Sequence, residues 1–355
     1  MRRARGMKAA ALLLAGSLAL AACASDEDTS GSGGSGGGDS SEMPQIGLAY
    51  DTGGRGDKSF NDSAYAGVEA AVEAFGGTAE DNIQELSPNS DASNRADLLT
   101  QLADQGFNPI IAVGFAYGDV IGEVATQYPD VDFAVVDSTG VDVADNVTGL
   151  LFAANEGSFL GGVAAATKSE TDHVGFVGGV ETPLIQSFEA GFTAGAQAVN
   201  PDVIVDVQYI SPAGDFSGFN DPARGQVVAQ GMFDGGADIV YAAAGGSGTG
   251  VFQAAAASGG RAIGVDSDQY ETVGDASLQS VIMTSVLKRV DNAVEAYIGT
   301  VVDGSVEGGV DVVNDLSTEG VGLSYSGGFI DDIQSTIDDY TQQIVDGEIT
   351  VPETP

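Results

Sequence analysis

The chain has 355 residues, 43% of them apolar, which is too long for one ordinary core and apolar enough to fill two. Twelve basic residues stand against 52 acidic ones, a formal charge of −40, and this excludes the clustered Lys and Arg that nucleic acid or an anionic lipid surface requires. One Cys (Cys23) and one His (His173) exclude an intramolecular disulfide and a Cys/His zinc site. His173 lies in the strand-like run Asp172 to Val177, where a structural role is expected rather than a place in a catalytic triad.

The chain opens on Arg2, Arg3, Arg5 and Lys8, followed by an apolar run from Ala9 to Ala22 that is short for a membrane span. The run ends Leu20-Ala21-Ala22-Cys23, which resembles the lipobox of bacterial lipoproteins. That resemblance implies a signal peptide over 1–22, cleavage before Cys23 and lipidation of Cys23, with acyl chains sufficient for stable anchoring. Cleavage would leave eight basic residues against 52 acidic ones, a charge of −44. Residues 24–42 are Gly/Ser-rich with no aliphatic side chain larger than Ala. Such a segment is a flexible tether, here expected over 23–44, reaching roughly 25 Å. Its Gly33-Gly34-Ser35-Gly36-Gly37 fits the Gly-x-Ser-x-Gly pattern but has no strand before it and no helix after it.

From Gln45 onward, short apolar runs alternate with segments of helical spacing. The strands expected in the first series are Ile46 to Tyr50, Ile83 to Leu86, Ile110 to Val113, Phe133 to Val136 and Val147 to Phe152. Helices are expected over Ser63 to Phe75, Asn94 to Gln105, Gly118 to Gln127 and Glu156 to Thr167. A second series has strands at His173 to Val177, Val203 to Ile210, Ile239 to Ala243 and Ala262 to Val265, with helices at Gln186 to Val199, Ala223 to Phe233 and Thr249 to Ser258. Strands without polar alternation are buried on both faces, as in parallel sheets covered by helices. Two such series predict two doubly wound α/β domains. The remainder reads as a strand over Val281 to Ser285, a helix over Val286 to Val302, strand-like pieces to Ser324 and a helix over Ile330 to Asp346. It is too short for a third domain and is expected to return to the first two.

Ligands of open α/β sheets lie beyond the carboxyl ends of the strands. Here those ends carry Asp51 to Asn61, Gly114-Phe115, Asp137-Ser138, Gly178-Gly179, Gly245 to Gly248 and Asp266 to Gln269. Three carboxylates at three strand ends (Asp51, Asp137, Asp266) single themselves out, although each alone reads as a cap or turn residue. Gly246-Ser247-Gly248-Thr249-Gly250 lacks the lysine of a phosphate loop, and its glycines are expected to permit close backbone approach.

Asp57-Lys58-Ser59-Phe60-Asn61 with Ser63-Ala64-Tyr65-Ala66-Gly67 resembles the opening signature of the basic membrane protein family, which includes purine nucleoside receptor lipoproteins of ABC importers. The similarity runs in order through Phe159 to Ala165, Val174 to Gly179, Phe188 to Phe192, Phe219 to Pro222, Ala244 to Gly248, Gly264 to Gln269 and Thr284 to Arg289. The resemblance implies a type I periplasmic-binding-protein fold, two lobes joined by a three-strand hinge that closes on the ligand. It places 45–154 with about 284–310 in the first lobe, and 155–283 with about 311–355 in the second. It implies a non-enzymatic receptor without cofactor or metal, a monomer lipid-anchored on the outer face of the cytoplasmic membrane. Its partners would be a permease, an ATPase and a purine nucleoside.

Carried over residue by residue, the resemblance implies stacking of the base on Phe60 and on Phe219, with Phe188 as rival. Asn61 and Asp137 would bond the base edge. Asp266 would accept the ribose hydroxyls with Lys288 as its charge partner, and Asp51 and the Gly245 amide would complete the ribose side. The alternatives are another small ligand such as a sugar, a surface receptor of the same fold, and a nucleoside hydrolase. The hydrolase reading is weakened by the lack of an Asp cluster after the first strand. The acidic excess exceeds anything the resemblance calls for.

Overall fold

The structure is a computed structural model, and it describes residues 43–355. The expected leader over 1–22, Cys23 and the tether as far as 42 lie outside the described residues. Twelve strands are described: β1 Ile46–Ala49, β2 Ile83–Leu86, β3 Ile110–Val113, β4 Phe133–Val136, β5 Val147–Phe152, β6 His173–Val180, β7 Ile204–Ser211, β8 Ile239–Ala243, β9 Arg261–Asp266, β10 Ile282–Lys288, β11 Val310–Asn314 and β12 Val321–Leu323. The helices of ten or more residues are α1 Phe60–Ala74, α2 Arg95–Asp104, α3 Gly118–Gln127, α4 Ala154–Lys168, α5 Pro183–Val199, α6 Pro222–Gly235, α7 Gly248–Ser258, α8 Val290–Val302 and α9 Gln334–Val345.

The strands form two sheets of six, ordered β11-β5-β4-β3-β1-β2 and β12-β10-β9-β8-β6-β7. Every pairing is parallel except β10 with β12. The central strands β1, β3 and β4 are fully buried, as their unbroken apolar sequence requires. In the first lobe, α1 and α8 pack on one face and α2 and α3 on the other. In the second, α4, α5 and α9 cover one face and α6 and α7 the other. Helices α4 and α5 approach closely because small residues line their contact: a Cβ on Gly195 would lie 1.9 Å from the Phe159 carbonyl oxygen, and one on Gly162 would lie 2.0 Å from that of Phe192.

The chain passes between the sheets three times, from β5 into α4, from β10 into α8, and from β11 into β12. The two sheets have the same order, so β4 and β9 hold the same place, as do β5 and β10.

The end of the chain is divided differently from the expectation. Residues 284–288, expected in the first lobe, belong to β10 of the second sheet, and 310–314 join the first sheet beside β5. The strand expected to end at Ser285 continues to Lys288, and the helix begins at Val290 rather than Val286. Val286 and Leu287 pair with β9 on one side and β12 on the other, and this double ladder outweighs their helical spacing. Helix α1 begins at Phe60 instead of Ser63, because Asp57 accepts the first amides of the turn.

Candidate functional site

The carboxyl ends of β1, β4, β8, β9 and β10 face a cavity between the lobes. About 550 Å³ of space lies between these walls, counting the open solvent at the mouth. Its walls bring together all eight residues singled out by sequence (Asp51, Phe60, Asn61, Asp137, Phe219, Gly245, Asp266, Lys288), together with Phe188.

The loop after β1 is built on Asp57. Its Oδ1 accepts the amides of Ser59 (3.0 Å) and Asp62 (3.1 Å), and its Oδ2 accepts Asn61 N (2.8 Å) and Asn61 Nδ2 (3.1 Å). These bonds start α1 at Phe60 and set its ring into the cavity wall. Asn61 Oδ1 accepts the Asp51 amide at 2.9 Å, so much of the hydrogen-bonding capacity of Asn61 is spent inside the protein. Burial raises the Asp57 carboxyl, and the amides of Asn61, Ser59 and Asp62 oppose that rise.

Asp51 is buried and pairs with Arg95, whose Nη2 donates to Oδ1 at 2.9 Å. Burial raises the Asp51 carboxyl, and the Arg95 guanidinium opposes it. Arg95 also lies 4.7 Å from the ring centre of Phe216, which comes from the second lobe. Sequence reasoning missed Arg95 and Asp57 as site residues. For Arg95 the available signal was scarcity: it is one of only eight basic residues beyond Lys8.

Asp137 and Asp266 follow β4 and end β9, and both adopt left-handed backbone, with φ of +65° and +62°. Lys288 ends β10 with 3% exposure, and its ammonium donates to Asp137 Oδ2. This corrects the expected partnership with Asp266, whose Oδ2 instead accepts the Ser59 hydroxyl from across the cleft. Burial pushes the Asp266 carboxyl up to about 6, with Lys288 and Ser59 pulling down and the charges of Asp57 and Asp137 pushing up. The Lys288 ammonium also lies 4.6, 5.2 and 5.8 Å from the ring centres of Phe60, Phe152 and Phe188.

Phe219 closes the short turn Phe216–Phe219, with its ring lying on Gly179 at the end of β6. A Cβ there would stand 2.4 Å from Phe219 Cδ1, so the ring takes the space a side chain would fill. Phe188 is 3% exposed and belongs to the second lobe's core, whereas Phe219 is only partly buried. Gly245 opens the turn before α7 with φ of +54°, close to the Phe219 carbonyl. The cavity thus offers aromatic rings, carboxylates as acceptors and one shared ammonium.

Two doubly wound lobes, three chain crossings and a cleft at the strand ends define a type I solute-binding protein. The chain belongs to the Bmp family of PnrA-like ABC transporter substrate-binding proteins, whose model matches residues 45–355. It is 39% identical to the CD4+ T-cell-stimulating antigen of Listeria monocytogenes, over 98% of each chain. It is 34% identical to the ABC transporter nucleoside-binding protein BmpA of Lactococcus lactis, over 86% of this chain and 88% of that one. A solute-binding protein of an ABC system from Aeropyrum pernix superposes with a TM-score of 0.74 at 28% identity, covering 86% of this chain and 93% of the other. Proteins of this class work outside the cytoplasm and serve a permease and its ATPase with a small-molecule ligand. Among the described residues no helix is long and apolar enough to cross a membrane.

Proposed function

We propose that the cleft captures a purine nucleoside (guanosine, inosine or adenosine) and that the protein, anchored through lipid on Cys23, presents it to its permease as a monomer. The observation that carries this reading is the meeting in one cavity of Phe60 with Phe188 and Phe219, and of Asp137, Asp266 and Lys288. Aromatic faces hold a base through stacking, worth about 1–3 kcal/mol per base. Buried carboxylates accept ribose hydroxyls and base N–H groups, and reject analogues that leave them unpaired. A free sugar would use the carboxylates but has no flat base to stack on the rings. A 5′-phosphate would bring negative charge among Asp51, Asp57, Asp137 and Asp266, which favours nucleosides over nucleotides. The protein acts as a receptor, not as an enzyme.

Thermal unfolding after denaturation and refolding, which strips retained ligand, tests the reading against nucleosides, bases, 5′-nucleotides and sugars. A ligand at 100 times its Kd adds about 2.7 kcal/mol of stability. A shift with purine nucleosides, absent with ribose and nucleotides, is expected. No shift with any nucleoside, or release of free base during incubation, overturns the reading.

A further inference from the structure

Five hydrogen bonds, one of them from Ser59 Oγ to the Val265 carbonyl at 3.4 Å, join the lobes beside the cavity through side chains that do not line it, apart from Asp266. The Lys58 carbonyl accepts Gln269 Nε2 at 3.0 Å and Thr272 Oγ1 at 3.3 Å. The Ser59 carbonyl accepts Ser267 Oγ at 3.0 Å, and Ser59 Oγ donates to Asp266. Lys58 and Ser59 belong to the loop after β1, and Ser267 to Thr272 follow β9 in the other lobe. Lys58 adopts a left-handed backbone with φ of +59°, unusual for a residue with a side chain. Gln269 is 1% exposed and double-ended: its Oε1 accepts the Val265 amide at 2.9 Å, while its Nε2 crosses to Lys58. The same amide group therefore holds the strand end that carries Asp266 and grips the opposite lobe.

We propose that Gln269, Ser267 and Thr272 form a latch on the Lys58–Ser59 backbone that sets how long the cleft stays shut, with Gln269 a positioning residue for Asp266. For its ligand the proposal rests on the nucleoside reading; for its mechanics it does not. These bonds exist only when the lobes meet, so they bias the closed state. Their loss exposes the same groups to water, so each contributes modestly, and the effect falls on release rather than on encounter.

The test uses the full chain carrying Cys23→Ser, with guanosine and inosine in stopped-flow binding. The pair Ser267→Ala and Thr272→Val removes only cross-lobe bonds, and should raise the dissociation rate roughly 5- to 50-fold with association changed less than about twofold. Gln269→Glu keeps the shape but sets an acceptor against the Lys58 carbonyl, and should release faster still. The ligand-free melting temperature of the Ser267/Thr272 double variant should stay unchanged. An unchanged dissociation rate, or a lowered melting temperature with association and dissociation impaired together, overturns the latch. A second arm needs no ligand: Ser59→Cys and Ser267→Cys give up their own cross-lobe bonds and supply a thiol pair that an added oxidant (copper–phenanthroline, which takes the two electrons) can join as a disulfide only when the lobes meet. Adding Thr272→Val should slow the cross-link roughly threefold or more, and an equal rate overturns the latch. If no nucleoside binds, the functional reading fails while this arm still decides the latch.

Discussion

Asp137 and Asp266 are structural counterparts, each at the carboxyl end of the fourth strand from its sheet's β2 or β7 edge, and each in left-handed backbone. They differ in partners. Lys288 donates to Asp137, and Ser59 donates to Asp266. A single buried ammonium thus serves a cleft with two carboxylates at equivalent strand ends. The carboxylate bonded only by a hydroxyl is the one pushed up to about 6.

That asymmetry predicts a pH dependence. The Asp266 carboxyl is raised from 3.8 to about 6, so its contribution to stability is fully present below 3.8 and is lost as pH rises through 6. Ligand-free Asp266→Asn should be more stable than the parent at pH 8, by up to about 3 kcal/mol, with the difference gone near pH 3.5. Ligand hydroxyls are accepted best by the ionised form, so nucleoside affinity should fall as pH drops below about 6. Calorimetric titration between pH 5 and 8 checks this, and Asp266→Asn should bind weakly with a flat profile.

Removing Lys288 should harm the fold as well as the site. Lys288→Met leaves the Asp137 charge buried without its partner, and a loss of about 3–5 kcal/mol is expected in urea unfolding. Adding Asp137→Asn removes the stranded charge and should restore much of that loss. A double variant as unstable as the single one would show that the lysine stem, not the ion pair, holds this part of the protein.

Gly179→Ala should weaken binding without touching a polar group. Its Cβ would stand 2.4 Å from the Phe219 ring and displace it. A five- to thirtyfold rise in Kd is expected, on the order of one stacking contact. Phe188→Ala and Phe219→Ala compared in the same titration identify the second stacking ring, with the Phe219 variant expected to lose more.

Gly195→Ala tests the scaffold alone. Its Cβ would fall 1.9 Å from the Phe159 carbonyl oxygen, so α4 and α5 must move apart. A loss of roughly 1–3 kcal/mol is expected in urea unfolding, with nucleoside Kd unchanged at 15 °C.

Much of this arrangement is legible in the residues. The unbroken apolar runs Ile46 to Ala49, Ile110 to Val113 and Phe133 to Val136 are strands because only a sheet covered on both faces buries them whole. Asp51, Asp137 and Asp266 could be singled out because each directly follows or ends such a run. Arg95 carries only the signal of scarcity, since its partner Asp51 lies 44 residues earlier and meets it only through folding. Val286 reads as the start of a helix, and pairing on both sides makes Val286 and Leu287 strand instead.

The sequence by itself determined the alternation of strands and helices, the acidic surface and the set of residues that could meet at the strand ends, because these depend on local periodicity and composition. Only the tertiary structure decided which lobe owns β10 and β11, and that Lys288 bonds Asp137 while Ser59 crosses the cleft to Asp266. Those pairings depend on where distant strand ends come to rest, and a buried charge takes the partner that packing brings within reach.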